Sequence, residues 1–434
     1  LFERAWFGLG CWALCLGTVG CTGDTTTPTD TGVPVNTQPA DDPLWDLEAP
    51  PTFRVTVPVD DWEAALWDLA PVDECDPRLY LEGSVTFVNP VDGSEETVDQ
   101  VGVRWRGQSA LDIDDPQYER VGLKLSFNEY VSGREFMEFR KINLMGTEGD
   151  YSLMREQLAL RIARDIGIPA PKSAYAHLVV NDTYMGFYPM TEEADDEPYV
   201  KNHFADPTGS LFKIEGYCGG RGTFEDEGDT PEDYIEKYDP KGETLDEAIE
   251  LDLMPLIDCA NTASDADFEA CIPELIDVDN ILRVIALDVV LPDIDGFIGA
   301  GQNFMLYKEA DTGLFIVWPW DKDLALDDAN VGGTWDLSGV HPSWKEDFRN
   351  LLGDRLVHSS WKSEYCGVVL EVADRYDPAT FLPELELHRE LMAPWIESDP
   401  WMDSERWGWL TDDVVEVIEY WHPEIVAAAE ACDF

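Results

Sequence analysis

Positive charge is what this chain of 434 residues has least of. Lysine and arginine number 29 against 89 aspartates and glutamates, a formal net charge of −60. A surface that negative repels the phosphates of nucleic acid and anionic lipid headgroups, which argues against DNA, RNA or a bare membrane as partner. It repels a nucleotide as well. Any nucleotide site therefore has to be a local basic pocket backed by metal, and Arg106, Lys124 and Lys141 are the cations placed early enough in the chain to supply one. The acidity itself fits solubility, or a saline, calcium-containing exterior, rather than a specific partner.

Other absences narrow the reading further. There is no Cys-x-x-Cys pair, and the six histidines show no ligand spacing, so a zinc site is not expected. There is no Gly-x-Gly-x-x-Gly loop and no internal repeat. Beyond the first residues no apolar run is long enough to span a bilayer. Of nine cysteines, Cys11, Cys15 and Cys21 fall in the N-terminal apolar segment. The other six, Cys75, Cys218, Cys259, Cys271, Cys366 and Cys432, form an even, scattered set that suits disulfides in an oxidising compartment. Cys259 with Cys271 closes the shortest loop and is the expected local pair.

The start of the chain reads as an export segment. Residues 5–19 are a short apolar run after Arg4, ending in Gly20 and Cys21. This resembles a lipoprotein signal that would leave a lipid on Cys21, although Thr18 stands where leucine is commonest. An ordinary signal peptide gives the same export without the anchor. Residues 22–50, rich in Thr, Asp and Pro, read as a flexible tether, with the fold beginning near Phe53.

From there the pattern is α+β. FRVTVPV, YLEGSVTFV, VGVRWRG and VGLKLSF are runs of branched and aromatic residues between acidic or Gly-containing turns, and predict an N-terminal antiparallel sheet. Residues 153–166 predict a helix closed by Gly167 and Pro169. Residues 174–190 predict a hairpin turning at Asn181 and Asp182, and residues 210–214 a further strand. The acidic, Gly-rich stretch 215–252 reads as a long surface excursion. Residues 276–290 predict an apolar helix capped by Asp277 or Asp279. After Trp335, from about residue 336, the pattern is helical to the end.

The chemistry concentrates in residues 291–323, LPDIDGFIGAGQNFMLYKEADTGLFIVWPWDKD. Residues 304–308 and 314–318 predict two strands joined by a turn at 309–313. Folding that hairpin brings its open ends together, with Asp295 and Asn303 on one side and Asp321 and Asp323 on the other. Hard oxygen ligands of this kind suit Mg²⁺, which is usually held by one or two carboxylates plus substrate phosphates. Phosphoryl transfer needs in addition a carboxylate to receive the acceptor's hydroxyl proton. The competing reading is that Asp, Asn and Gly collect here because they tolerate turns.

Further motifs stand in order along the chain: RGQS (106–109), KLSF (124–127), KINL (141–144), MRE (154–156) opening a helix, GFY (186–188) followed by Glu192, and PWDKD (319–323). At these spacings the set resembles the spore coat protein H (CotH) kinase family, whose fold is an atypical, reduced version of the protein-kinase architecture. The resemblance covers roughly residues 51–434. It implies that Lys124 holds nucleotide phosphates and pairs with Glu156, that Arg106 contacts phosphate, that Asp295 is the base, and that Asn303 and Asp321 hold metal, with Asp323 and Asp293 in reserve. It implies ATP with Mg²⁺, or Mn²⁺ in its place, and Ser or Thr of a cell-surface protein as acceptor. Two departures stand out. Asn303 follows Asp295 by eight residues with no His-Arg before it, which leaves Asp293 and Asp295 both open as base, and Pro319-Trp320 replaces the usual setting of the metal aspartate. The alternative function is a noncatalytic envelope or adhesion protein on the same scaffold, its acidic loops binding structural Ca²⁺.

Overall fold

Seven strands of the N-terminal half close on themselves in the computed structural model of the protein. The structure describes residues 43–71, 75–107, 120–216, 218, 220–242, 245–262, 264–327, 337–338 and 350–434. The strands are β1 (Thr52–Thr56), β2 (Leu81–Val88), β3 (Glu95–Arg106), β4 (Gly122–Ser126), β5 (Lys141–Leu144), β6 (Ser173–Val180) and β7 (Thr183–Glu192). Their order is β1-β2-β3-β4-β5-β7-β6, and a parallel pairing of β1 with β6, Thr52 opposite His177, seals the barrel. The antiparallel sheet expected from sequence is therefore a barrel with one parallel seam, because the 173–192 hairpin joins it. Alternating burial along β1 and β2 follows their period-two patterns, whereas β4 is buried throughout. At the hairpin's turn Asn181 and Asp182 both take positive φ, 45° and 64°, as Asx residues tolerate.

A second sheet has the order β11-β10-β8-β9, with β8 at Leu211–Ile214, β9 at Pro240–Lys241, β10 at Phe304–Lys308 and β11 at Phe315–Pro319. The β10–β11 hairpin forms as its sequence predicts, with Phe304 opposite Pro319 and a turn closed by Gly313 at φ 72°. Residues 215–252 are not a bare surface excursion. They return as β9, and Phe224, Tyr234, Tyr238 and Ile249 are buried in the core. Aromatic anchors spaced among acids hold the stretch down while its charges stay wet.

Helix Arg155–Asp165 packs on β6, and helix Val278–Val290 begins at Asp277, whose side chain accepts from Asn280 N at 3.0 Å. Among the described residues the C-terminal part has four helices, Leu351–His358, Lys362–Arg375, Pro378–Ser398 and Ser404–Ala431. A buried pair ties them to the barrel: Arg120 Nη1 lies 2.9 Å from Asp399 Oδ2, which also accepts from Phe187 N at 2.6 Å. Gly186 permits that approach, since a Cβ there would stand 2.5 Å from the same oxygen.

All six expected cysteines are paired, as Cys75–Cys218, Cys259–Cys271 and Cys366–Cys432. The expected signal segment, with Cys21, and residues 22–42 of the tether lie outside the described residues. The tether's last residues do pack: Leu44, Trp45 and Leu47 are fully buried, so the core begins upstream of Phe53. Among the described residues no helix is long and apolar enough to cross a membrane.

Candidate active site

A cavity of about 870 Å³ opens between the barrel and the second sheet. Arg106 and Gly107 at the end of β3, Lys124 on β4, Lys141 and Asn143 on β5, Lys213 on β8, and the segment after β11 all face it. Eight of the chain's 29 basic side chains line it: Arg78, Arg104, Arg106, Lys124, Lys141, Lys213, Lys241 and Arg406. Ten carboxylates line it as well, so the cavity is far richer in cations than the chain as a whole, as a nucleotide site in so acidic a chain requires.

One end of the cavity is carboxylate. Asp295 from the β10 side and Asp321 and Asp323 from the β11 side all line it, joined by Glu156 from the first turn of helix Arg155–Asp165. The hairpin's open end is fixed by Trp320 N donating to Asn303 O at 3.0 Å. Asn303 and Asp321, on either side, hold left-handed backbones with φ of 56° and 55°. Such geometry in non-glycine residues persists only where the surroundings impose it. Asn303 Nδ2 donates to Asp295 Oδ2 at 2.8 Å, and Gln302 Nε2 donates to its Oδ1. Glycine makes room for Asp323, because a Cβ on Gly149 would lie 2.1 Å from Asp323 Oδ2.

Crowding raises the proton affinity of these groups. Burial, then Asp293 and Asp321, push Asp295 up to about 7. Burial and Asp321 push Glu156 up to about 8. Burial, Asp321, Glu156 and Asp295 lift Asp323 well above the carboxylate range. Arg106 is the cation at this end, with Nη2 3.4 Å from Asp321 Oδ1. Glu156 Oε1 is buried without a hydrogen-bond partner. A cluster of mutually repelling oxygens with an orphaned acceptor suits a hard divalent cation. Among the described residues no three such groups form a ready metal cage. The fit is to the Mg²⁺ mode, in which one or two carboxylates bind and phosphate and water complete the shell.

The other end is a lysine network. Glu193, just past β7, pairs with Lys124 and accepts from Asn143 Nδ2 at 3.0 Å. Asp195 is a hub between Lys213 at 3.6 Å, Lys241 at 3.7 Å and Lys141 at 3.9 Å. Burial alone would raise Asp195, yet these lysines hold it well below the usual carboxylate range. Lys141 also meets Asp196 at 2.8 Å, and Lys213 lies 4.4 Å from the ring centre of Trp320. Desolvation lowers Lys124 to about 7 against the pull of Glu193.

The family described as CotH kinase protein matches residues 103–423. The chain belongs to that family. It is 26% identical over 329 residues to the Inner spore coat protein H of Bacillus subtilis, covering 74% of this chain and 84% of that protein. It is also 23% identical over 260 residues to Invasin CotH7 of Rhizopus delemar, covering 59% of this chain and 40% of the invasin.

Within this CotH-family chain the cavity gathers Arg106, Lys124, Glu156, Asp295, Asp321 and Asp323, with Asn303 behind Asp295. One expected relationship is corrected: Lys124 forms its ion pair with Glu193, not with Glu156, because β7 ends beside β5 and delivers Glu193 to the lysine. Glu156 instead shares the acidic end with Asp321 and Arg106. Asp293 does not line the cavity; both of its carboxylate oxygens are engaged in the protein interior. Glu192 lines the cavity and accepts from Lys172 N at 3.1 Å. Sequence reasoning missed Glu193, Asp195 and Lys213. The signal that could have found the two acids is their place directly after β7, whose last eight residues are all buried.

Proposed function

We propose that this protein is an extracytoplasmic atypical protein kinase that transfers the γ-phosphoryl group of ATP to Ser or Thr of a surface protein. The observation that carries the reading is the cavity itself. In a chain of 29 basic against 89 acidic residues its lining has eight cations against ten carboxylates, with Asp295, Asp321, Asp323 and the buried Glu156 together at one end. Polar lysines and a carboxylate pole in one pocket are what phosphate and a divalent metal need together. Membership of a family described as CotH kinase protein supports it.

Asp321 and Asp323 would hold Mg²⁺, or Mn²⁺, against the phosphates, while Asn303, expected as a ligand, lies behind Asp295 outside the cavity lining and would act through its bond to that carboxylate. Bound there, the metal supplies charge stabilisation for the transferring phosphoryl group. Arg106 and Lys124 contact phosphate oxygens, and Glu156 completes the acidic end. Asp295 receives the acceptor's hydroxyl proton; its two amide donors fix the carboxylate, and a proton affinity near neutrality suits a base. The names of the two relatives, a spore coat protein and an invasin, support action at a cell surface. An export signal with Cys21 lipidated would place it there.

A second reading is a noncatalytic envelope or adhesion protein. It is favoured by the internal pairing of Lys141 and Lys213 with Asp196 and Asp195, which neutralises cations a nucleotide would use. Calorimetric titration of Mg²⁺-ATP, beside a labelled-phosphate transfer assay, separates the two. Absence of both binding and transfer replaces the kinase with the scaffold.

A further inference from the structure

Between the two aspartates at the end of β11 stands a lysine that faces away from the cavity. Lys322 is 1% exposed, and its Nζ lies 2.6 Å from Asp288 Oδ1 and 2.6 Å from Asp293 Oδ2, both carboxylates being equally buried. The remaining oxygens are also used: Asp288 Oδ2 accepts from Ile298 N at 3.1 Å, and Asp293 Oδ1 accepts from Asp295 N at 2.9 Å. One ammonium thus fastens the segment carrying Asp321 and Asp323 to the loop carrying Asp295 and to the last turn of helix Val278–Val290. Gly296 leaves the space for this, since a Cβ there would sit 2.5 Å from Asp288 Oδ2 and 2.6 Å from Lys322 Nζ.

We propose that Lys322, braced by Asp288 and Asp293, is a positioning residue that sets Asp321 and Asp323 against Asp295 across the cavity. The geometry distinguishes this from an ordinary buried ion pair. A pair that only stabilised the core could join any two elements, whereas this one joins the two short segments that carry the three aspartates of the cavity's acidic end, through a residue flanked by two of them. Buried ion pairs often contribute little net stability, and fixing one arrangement among several is their best-attested use. A site whose carboxylates repel one another needs such a restraint, because without it they separate. The functional part of the inference rests on the kinase reading of the same cavity.

The test uses two variants of the full chain. Lys322→Met leaves two carboxylates buried without their cation and lowers the melting temperature. Lys322→Met combined with Asp288→Asn and Asp293→Asn removes all three charges together and recovers most of that loss. In the triple variant Mg²⁺-ATP affinity is expected to stay at least tenfold weaker than in the unmodified protein despite recovered stability. Amide hydrogen exchange of residues 293–298 is expected to run at least tenfold faster, with helix Val278–Val290 upstream of Asp288 unchanged. A stable triple variant with unmodified affinity overturns the proposal. If the unmodified protein binds no Mg²⁺-ATP, the kinase reading falls, and exchange decides the brace by itself: unchanged exchange overturns it, faster exchange supports it.

Discussion

Lys124 on β4 pairs with Glu193 at the end of β7, and Asn143 on β5 donates to the same carboxylate oxygen. Three neighbouring strands therefore converge on one buried carboxylate, and the lysine's position depends on Glu193. A double-mutant cycle of Lys124→Met with Glu193→Gln should show a coupling of about 0.5–3 kcal/mol in thermal or denaturant unfolding, the range for residues in one network. The cycle of Lys124→Met with Glu156→Gln should add to within about 0.5 kcal/mol. Coupling to Glu156 of the same size as to Glu193 would contradict the pairing.

The two ends of the cavity predict separable losses. Asp321→Asn removes a charge that would hold metal on the phosphates and leaves Arg106 without its partner, so Mg²⁺-dependent nucleotide binding should be abolished. Lys124→Ala should act likewise, since its neighbours Lys141 and Lys213 are already paired with Asp196 and Asp195. Asp295→Asn should bind Mg²⁺-ATP nearly as well while transfer falls by about 10²–10⁴-fold, the usual contribution of a general base. Calorimetry beside a transfer assay reads both quantities. Loss of binding in Asp295→Asn would move that residue from base to ligand.

Local pattern was enough to find the β10–β11 hairpin, the 173–192 hairpin and helix Val278–Val290 with its Asp277 cap, because alternation, turn residues and caps act over a few positions. It also brought Asp295 and Asp321 together, since a hairpin's open ends must meet. It could not show that β1 pairs with β6 across more than a hundred residues, which only closure of the barrel determines. Nor could it assign Lys124 its partner: Glu156 and Glu193 are both acids downstream, and the choice depends on which strand lies beside β5. Trp45 illustrates the same limit. A lone tryptophan in a Thr-, Asp- and Pro-rich segment carries no period, yet its ring packs 5.4 Å from that of Phe139.

The Cys75–Cys218 disulfide staples the segment before Arg78 and Tyr80 to the segment after Lys213 and Glu215, and all four of those residues line the cavity. Replacing both cysteines by serine should cost about 2–4 kcal/mol of stability, as for other long-range disulfides. It should weaken anion binding at the lysine end more than replacement of Cys366 and Cys432, which join elements remote from that end. Thiol titration of the unfolded, unreduced protein should find no free thiol among the six paired cysteines. Equal effects of the two replacements on binding would leave the staple with no role at the cavity.

Stability should respond to pH in an unusual direction. Free carboxylates titrate near pH 4, whereas burial and neighbouring charge raise Asp295 to about 7 and Glu156 to about 8. Between about pH 4 and pH 7 the folded protein therefore binds more protons than the unfolded chain, and the slope of stability with pH is negative. This contribution is full below the unfolded value and is lost as pH rises through the folded values. Above pH 7 Lys124, lowered to about 7, works in the opposite sense, which limits the window. In chelator the melting temperature should be higher at pH 5 than at pH 7. Mg²⁺ binds the charged carboxylates, so it should raise the melting temperature more at pH 7 than at pH 5 and release protons as it binds. Glu156→Gln should flatten the pH dependence in chelator. A melting temperature that climbs steadily from pH 5 to pH 7 without metal would mean that these carboxylates are already ionised, and that the acidic end of the cavity is more open than its burial indicates.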